Sequence, residues 1–248
     1  MAQSDDGWDM ADIGGVRTAY AQYSSGQTIT IQCIANSLNV GFIGLPAAAQ
    51  LSTDTSASHY RVTSTATGQV LSHAERIGNA DSQVSKAILP ARLARSMANG
   101  GQITISGAGA PDVVLDLPSD GTGIREIMTG CRTRATDPND VRPLRALATT
   151  QIQARALRAG LSKLPNNPAP VTQITARCIV DADFKLKFCE TARLIPDHSR
   201  APVYSSIFND VQVSPADGGT TPLAVGDMVV FNFVLTQQAA RRPAQSSD

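Results

Sequence analysis

Alternation of apolar and polar residues marks several segments in the first half of the chain. Residues 27–35 carry apolar side chains at every second position, and residues 39–45 follow as the second arm of a hairpin. A period of two is typical of a β-strand that buries one face. Residues 8–23 lack this order and are expected to be irregular. Further strands are predicted at residues 60–65, 69–72, 102–106 and 112–117.

The period changes in residues 85–100, where leucine and methionine recur at four-residue spacing. Pro90 suits the first turn of a helix there, and Gly100 suits its end. A second short helix is predicted within residues 120–130. Residues 1–136 are therefore predicted to form a mostly β N-terminal domain with two short helices.

Residues 137–169 carry a stripe of leucines at roughly helical spacing between proline-rich ends. No acidic residue lies between Asp140 and Asp181. This pattern predicts a basic amphipathic helical linker. Its cations are Arg142, Arg145, Arg155, Arg158 and Lys163. The leucine stripe could dock on a neighbouring domain with the arginines in solvent, or the helix could contact an anionic lipid surface or an acidic partner.

Residues 170–238 are predicted to form a small second domain of order ββαβ, which makes the chain an α+β protein. The predicted elements are a hairpin at 171–180 and 184–194, a helix at 202–209 and a last strand at 228–235. The last strand carries apolar side chains on both faces, so both faces need to be covered. Residues 239–248 are expected to be a polar tail.

The charge balance excludes one class of partner. Lys plus Arg is 21 and Asp plus Glu is 21, so the formal net charge is zero. General nucleic-acid binders are usually basic, so nucleic acid is not an expected partner. The hydrophobic share of 42% is enough to build a core. No run of about 18 apolar residues is present, so no membrane-spanning helix is expected.

The four cysteines bear on the compartment. Cys178 and Cys189 flank a predicted hairpin turn, which suits a cross-strand disulfide. Cys33 and Cys131 would then pair and close a loop worth about 4–5 kcal/mol in the chain-entropy model. Two disulfides predict an oxidising compartment, periplasmic or secreted, for a mature form with an added Met1. Four buried free thiols in a cytoplasmic protein are the alternative.

Residues of catalytic type are few. The three histidines are His59, His73 and His198, and none has a cysteine or glutamate at metal-ligand spacing. The chain has no nucleophile-elbow motif, and its Gly107-Ala108-Gly109 run does not lead into a helix that could bind phosphate. We therefore predict no catalytic, metal or cofactor site. An enzyme that uses His59 or His73 at the domain interface is the alternative.

The order of features after residue 170 carries a resemblance. These features are Cys178, a turn at 181–183, Cys189, the 202–209 segment, a short strand ending at Pro215, and Gly226 before the last apolar strand. In this order the segment resembles the TonB C-terminal domain family. The chain departs from that family at Ala182-Asp183, where Asp-Gly is common. The sequence also has no membrane anchor and no long proline-rich spacer, so transduction of ion-motive force is not expected.

The first domain carries a looser resemblance. Trp8, the strand with Cys33, the hairpin at 60–72 and the helix that leads to Cys131 occur in an order similar to that of the invasion-associated locus B family of periplasmic proteins. This resemblance implies a periplasmic location and a β-rich fold. It implies no chemistry.

Together these features predict a non-catalytic cell-envelope protein that binds a protein or peptide by strand addition at the last strand. The residues predicted to contact the partner are Val229, Phe231, Phe233 and Leu235. The first domain or a second copy of the chain could cover that strand instead. A structural subunit that self-associates through the same strand is a further alternative.

Overall fold

The computed structural model describes residues 7–48, 60–76, 83–147, 151–153, 171–195, 204–215 and 222–236. This part of the chain is mostly β with two α-helices, in agreement with the predicted α+β class. Two sheets organise it, one of nine strands and one of four.

The first sheet is antiparallel throughout and uses residues 9–117. Its strands are β1 (Asp9–Ile13), β2 (Val16–Gln22), β3 (Thr28–Ile34), β4 (Ser37–Ile43), β5 (Tyr60–Ser64), β6 (Val70–Arg76), β7 (Val84–Ala87), β8 (Gly101–Gly107) and β9 (Val113–Leu117). They lie side by side in the order β1-β2-β3-β4-β7-β6-β5-β8-β9. Gly7, just before β1, bridges to Asp120, just after β9, so the two outer strands of the sheet approach each other.

Two helices pack on this sheet, α1 (Pro90–Met97) and α2 (Thr122–Gly130). They contact each other, α1 contacts β4 and β6, and α2 contacts β2 and β3. Leu93 and Met97 of α1 and Ile124 of α2 are fully buried in one core with the inward side chains of the strands. The four-residue spacing that predicts α1 is therefore the spacing of its buried face.

The second sheet is built from β10 (Leu144–Ala146), β11 (Val171–Val180), β12 (Leu186–Ile195) and β13 (Met228–Thr236) in the order β10-β13-β11-β12. Of the predicted helix at 202–209, residues 204–209 are described: Tyr204 and Ser205 are helical and the residues after them form turns. Tyr204, Ile207 and Phe208 are buried against this sheet. The ring of Phe208 lies edge-on to the ring of Phe231, with centroids 4.9 Å apart.

Several segments differ from the sequence prediction. Val84–Ala87 form strand β7, at the start of the segment whose spacing predicts only a helix. Residues 9–22 form the β1–β2 hairpin around Gly14-Gly15 rather than an irregular stretch. In the described part of the predicted helical linker, the chain forms a 3₁₀ turn at Pro138–Val141 and then strand β10, with no α-helix. The reason is that Leu144 packs as a strand residue beside Met228 instead of as part of a helical stripe. Residues 154–169 of that linker lie outside the described residues.

The two sheets meet through a third, smaller apolar cluster. Ile88 and Leu89, which connect β7 to α1, pack there against Leu144, Ile179 and Met228 of the second sheet. All five side chains are buried. The first unit (the nine-stranded sheet with α1 and α2) and the second unit (the four-stranded sheet) are therefore in direct contact.

Candidate functional site

Both predicted disulfides are present in the structure. Cys33, on β3, is bonded to Cys131, which follows α2, with Cα atoms 5.4 Å apart. Cys178 and Cys189 are bonded across the β11–β12 hairpin, with Cα atoms 4.1 Å apart. The chain has no free cysteine. Two structural disulfides are compatible with a location outside the cytoplasm.

A buried arginine lies at the contact between the sheets. Arg92, in the first turn of α1, is 1% exposed. Its Nη2 donates to the carbonyl oxygens of Val70 and Arg142, both at 3.0 Å, and its Nη1 lies 3.4 Å from the Met228 Sδ. Among the described residues, no group accepts a hydrogen bond from its Nε. Burial lowers the pKa of Arg92, and the nearby Asp140 carboxylate opposes that shift.

Arg95, one turn further along α1, is held by carboxylates of the 137–140 loop. Its Nε and Nη2 form a two-pronged contact with Asp140, in which Nη2 lies 2.9 Å from Oδ1. Its Nη2 also lies 3.5 Å from Asp137 Oδ2. Asp137 in turn accepts a hydrogen bond of 3.0 Å from Arg177 of β11. A chain of ion pairs therefore links α1, the 137–140 loop and the second sheet.

The pKa values in this chain of ion pairs follow from that pairing. Burial raises the pKa of Asp137, but the Asn139 N–H and the Arg177 guanidinium outweigh it and leave the pKa lowered. Burial lowers the pKa of Arg177, but its contacts with Glu190 and Asp137 outweigh it and leave the pKa raised. Both groups are therefore charged at neutral pH, as an ion pair requires.

A cleft of about 170 Å³ opens beside this contact, at the N-terminus of α1. Pro90, Ala91 and Arg92 line it from the first unit, and Arg177 and Glu190 line it from the second sheet. The first N–H groups of a helix have no partner within the helix, so this end of α1 offers hydrogen-bond donors. Of the charged residues in its wall, Arg177 and Glu190 are in contact with each other, whereas the Arg92 guanidinium is bonded to the carbonyls of Val70 and Arg142.

From Met228 to Phe233, both faces of β13 contact other parts of the protein. Val229 and Phe231 are buried in the core of the second sheet, and Phe233 packs against that core. On the other face, Met228 and Val230 belong to the contact with the first unit. Of the predicted partner-binding side chains, Val229 and Phe231 are therefore core residues, and Phe233 is partly buried beside them. Nothing is described of the side chain of Leu235.

The two backbone edges of β13 are paired to different extents. One edge pairs with β11 along the whole strand, from Met228 to Thr236. The other edge pairs with β10 only from Met228 to Val230. The Leu147 N–H donates to the Val230 carbonyl as the last of these bonds, at 2.8 Å. Residues 151–153 then bond to the segment around 212–214 instead. Beyond Val230, no described residue pairs with this outer edge.

The other end of the second sheet is more fully covered. The Leu186 N–H of β12 donates to the Val211 carbonyl at 2.9 Å. The N–H groups of Cys189 and Thr191 donate to side-chain oxygens of Asn209 and Ser205. The segment 204–211 thus occupies the outer edge of β12 up to Thr191.

Of the predicted histidine candidates, the structure describes only His73; His59 and His198 lie outside the described residues. His73 is on β6, and burial, with the nearby Arg61 charge, lowers its pKa to about 4. It is therefore neutral at pH 7. Within the described ranges, no group of three or more His, Cys, Asp or Glu side chains is placed to hold a metal ion.

The cations of the predicted linker are placed in part. Arg142 donates to Asn139 and, at 3.0 Å, to the carbonyl of Gly226, and Arg145 lies 3.4 Å from Asp227. Both therefore contact protein groups. Arg155, Arg158 and Lys163 lie outside the described residues. No helix in the described part of the chain combines the length and apolar character needed to cross a membrane.

Comparisons with protein-family models, with curated proteins and with solved structures found no match. The resemblances to the TonB C-terminal domain and invasion-associated locus B families therefore remain predictions from the residue pattern.

The amino-acid sequence alone does not indicate the cleft at α1. The signal available was weak: Pro90 marks a helix start, and the residue before it, Leu89, provides no capping side chain. The burial of Arg92 has no local signal, because it depends on contacts with residues up to 136 positions away.

Proposed function

We propose that this chain is a non-catalytic periplasmic protein of the cell envelope that binds an extended segment of a protein partner by strand addition. The binding site is the outer edge of β13, the edge that faces away from β11, between Phe231 and Thr236. The single observation that carries the proposal is that β10 pairs with this edge over only three residues of β13. The two disulfides support the compartment.

Alternation along the strand identifies the backbone groups that a partner would use. Met228 and Val230 direct their N–H and C=O groups towards β10, so Asn232, Val234 and Thr236 direct theirs to the same side. A partner strand laid there would continue the line of β10. Backbone hydrogen bonds would supply affinity, since the side chains of Val229 and Phe231 are committed to the core.

The edge is well supported for such a role. β13 pairs with β11 over nine residues, and Phe231 and Phe233 pack on Phe208 beneath it. A strand held this way is already in the binding conformation, so little conformational entropy is lost when a partner is added. On its other face, the Asn232 side chain donates to Glu75 of β6 at 2.9 Å, which fixes the strand against the first unit.

The test removes one outward donor. Val234→Pro deletes an N–H that faces away from β11, and proline is tolerated in strands where the N–H faces outward. Val234→Thr keeps the N–H and is the matched control. Extended peptides selected from a displayed library on the oxidised full chain should bind Val234→Pro at least about tenfold more weakly than Val234→Thr, since each lost hydrogen bond to a fixed edge is worth about 1 kcal/mol and the proline ring also blocks close approach.

Equal binding by the two variants would contradict the proposal. So would a selection that yields no binding peptide. Sedimentation of the same proteins tests the second use of the edge: a concentration-dependent dimer that Val234→Pro abolishes and Val234→Thr keeps would replace the proposed partner by a second copy of this chain.

A further inference from the structure

Phe188 of β12 is strained and exposed at the same time. Its φ is +50°, in the left-handed region that bulky side chains rarely adopt, and the residue is 80% exposed. It lies where the register between β11 and β12 shifts. Glycine takes this conformation without a steric cost, so the bulge itself does not require a phenylalanine. Strained residues cluster at binding sites, which makes Phe188 a candidate contact for a partner.

A cleft of about 160 Å³ opens beside Phe188. Ile179 and Met228, which also belong to the apolar cluster between the two sheets, line it together with Cys178 of the hairpin disulfide. Its volume suits a single ring, since an apolar cavity of about 150 Å³ holds a benzene molecule. An aromatic side chain placed there would lie against the Phe188 ring, and aromatic pairs are stabilised beyond the area that they bury.

The charges that line the cleft favour an anionic group beside that ring. Arg177 and Glu190 line it but are in contact with each other. Arg134 also lines it and is exposed. The ion pairs among the described residues leave Arg134 without a carboxylate. A carboxylate is the group that an arginine binds best, through two parallel hydrogen bonds.

We propose that this cleft binds an aromatic side chain of a protein partner that carries a carboxylate next to it. The ring lies against Phe188 and the carboxylate binds the Arg134 guanidinium. The site reaches β13 only at Met228, whereas the strand-addition edge runs from Phe231 to Thr236. The two sites are therefore separate, and this inference does not depend on strand addition.

A second copy of this chain fits the cleft less well than an acidic partner. In a contact between two copies related by a twofold axis, the same surface meets itself. The Arg134 side chains of the two copies would then lie near each other, and no described carboxylate in the cleft is available to them. Like charges brought together across an interface oppose binding, so the charge pattern favours a different chain.

The experiment is a titration of the oxidised full chain, labelled with ¹⁵N, at constant ionic strength. The probe is N-acetylphenylalanine, which has a ring and a carboxylate; N-acetylphenylalanine amide lacks the carboxylate, and N-acetylalanine lacks the ring. The backbone amide resonances of Phe188 and Arg134 are followed. We expect saturable shifts with N-acetylphenylalanine, binding about tenfold weaker with the amide because a charged hydrogen bond is lost, and no saturation with N-acetylalanine.

Two pairs of variants assign the binding to this cleft. Arg134→Gln should weaken binding of N-acetylphenylalanine about tenfold, and exposed Arg132→Gln, which does not alter a residue of the cleft, is its control. Phe188→Leu should weaken it about fivefold through loss of the ring pair, while Phe188→Tyr keeps the ring and binds normally. The altered side chains are exposed, so these substitutions do not remove core packing.

Equal affinity for the acid and the amide, or unchanged binding by Arg134→Gln and Phe188→Leu, would overturn the proposal. So would a concentration-dependent dimer in sedimentation that Phe188→Leu abolishes, because a second copy would then cover the cleft. Val234→Pro should bind N-acetylphenylalanine as the wild-type chain does. Failure of the strand-addition proposal therefore leaves this result unchanged, and the two proposals are tested separately.

Discussion

Single residues at the contact between the sheets are placed by long-range packing. Arg92 reaches Val70, Arg142 and Met228, so one side chain joins the first sheet, the loop before β10 and β13. The residue pattern around Arg92 predicts its helix but not its burial, because amphipathic spacing is local and these partners are distant in the chain. The disulfide partners were predictable, since the spacing of Cys178 and Cys189 matches a hairpin.

His73 makes the stability of the folded chain depend on pH. Its pKa is lowered to about 4 in the folded chain by burial and by Arg61, against 6.5 for an ordinary histidine. The unfolded chain therefore takes up this proton at higher pH than the folded one. The contribution of His73 is fully present above pH 6.5 and is lost as the pH falls towards 4.

Between pH 6.5 and pH 4, we expect protonation of His73 to lower the free energy of unfolding by up to about 3 kcal/mol. This follows from about 1.36 kcal/mol for each unit of pKa shift. His73→Gln should remove that part of the slope, which urea unfolding at a series of pH values measures. If the wild-type chain and His73→Gln show the same slope, His73 does not carry this linkage.

At the scale of elements, alternation of apolar and polar residues predicts strands well, whereas a stripe of leucines predicts a helix less reliably. β3, β4, β11 and β13 lie within a few residues of their predicted positions. The β1–β2 hairpin escapes the pattern because its only strong signal is the Gly14-Gly15 turn, where both residues have positive φ. The predicted linker helix is replaced by β10 in its described part because Leu144 finds a partner strand, a non-local contact that spacing does not encode.

A bulge in the β11–β12 hairpin gives a prediction for an element. Phe188 has φ +50° and is 80% exposed, and it lies where the pairing register shifts beside the Cys178–Cys189 disulfide. A left-handed conformation costs a residue with a Cβ about 1–2 kcal/mol. Glycine avoids that cost, but it loses more conformational entropy on folding, which costs about 0.5–1 kcal/mol.

Phe188→Gly should therefore raise the free energy of unfolding by about 0.5–1 kcal/mol relative to Phe188→Ala, which keeps the Cβ. Urea unfolding of the two oxidised variants measures this difference. A glycine variant no more stable than the alanine variant would mean that the bulge is not strained by the Cβ.

At the scale of the whole molecule, two cores and one interface hold the chain together. The first core is formed by side chains of the nine-stranded sheet and the two helices. The second core is formed by the four-stranded sheet and the segments packed on it. The smaller cluster around Ile88 and Met228 joins the two. The composition predicts enough apolar residues for these cores. Which faces meet depends on how the units pack, so Val229 and Phe231, which the sequence predicts to contact a partner, are found inside the second core.

The two disulfides constrain the unfolded chain to different extents, because their cysteines are 98 and 11 residues apart. In the chain-entropy model, replacing Cys33 and Cys131 by alanine should destabilise the protein by about 5 kcal/mol, and replacing Cys178 and Cys189 by about 3 kcal/mol. Thermal unfolding of both double variants checks the order. A larger loss for the hairpin pair would indicate that local strain or packing outweighs loop length.

The measurement that tests the proposed binding edge most directly needs no partner. It is the hydrogen–deuterium exchange of single amides along β13 in the free, oxidised chain. Phe231, Phe233 and Leu235 direct their N–H groups towards β11, whereas Asn232, Val234 and Thr236 direct theirs to the outer edge. We predict slow exchange at the first three and fast exchange at the second three, with protection of the second set when a selected peptide binds. Equal protection of both sets in the free chain would mean that the edge is already covered, and would contradict the proposed binding edge.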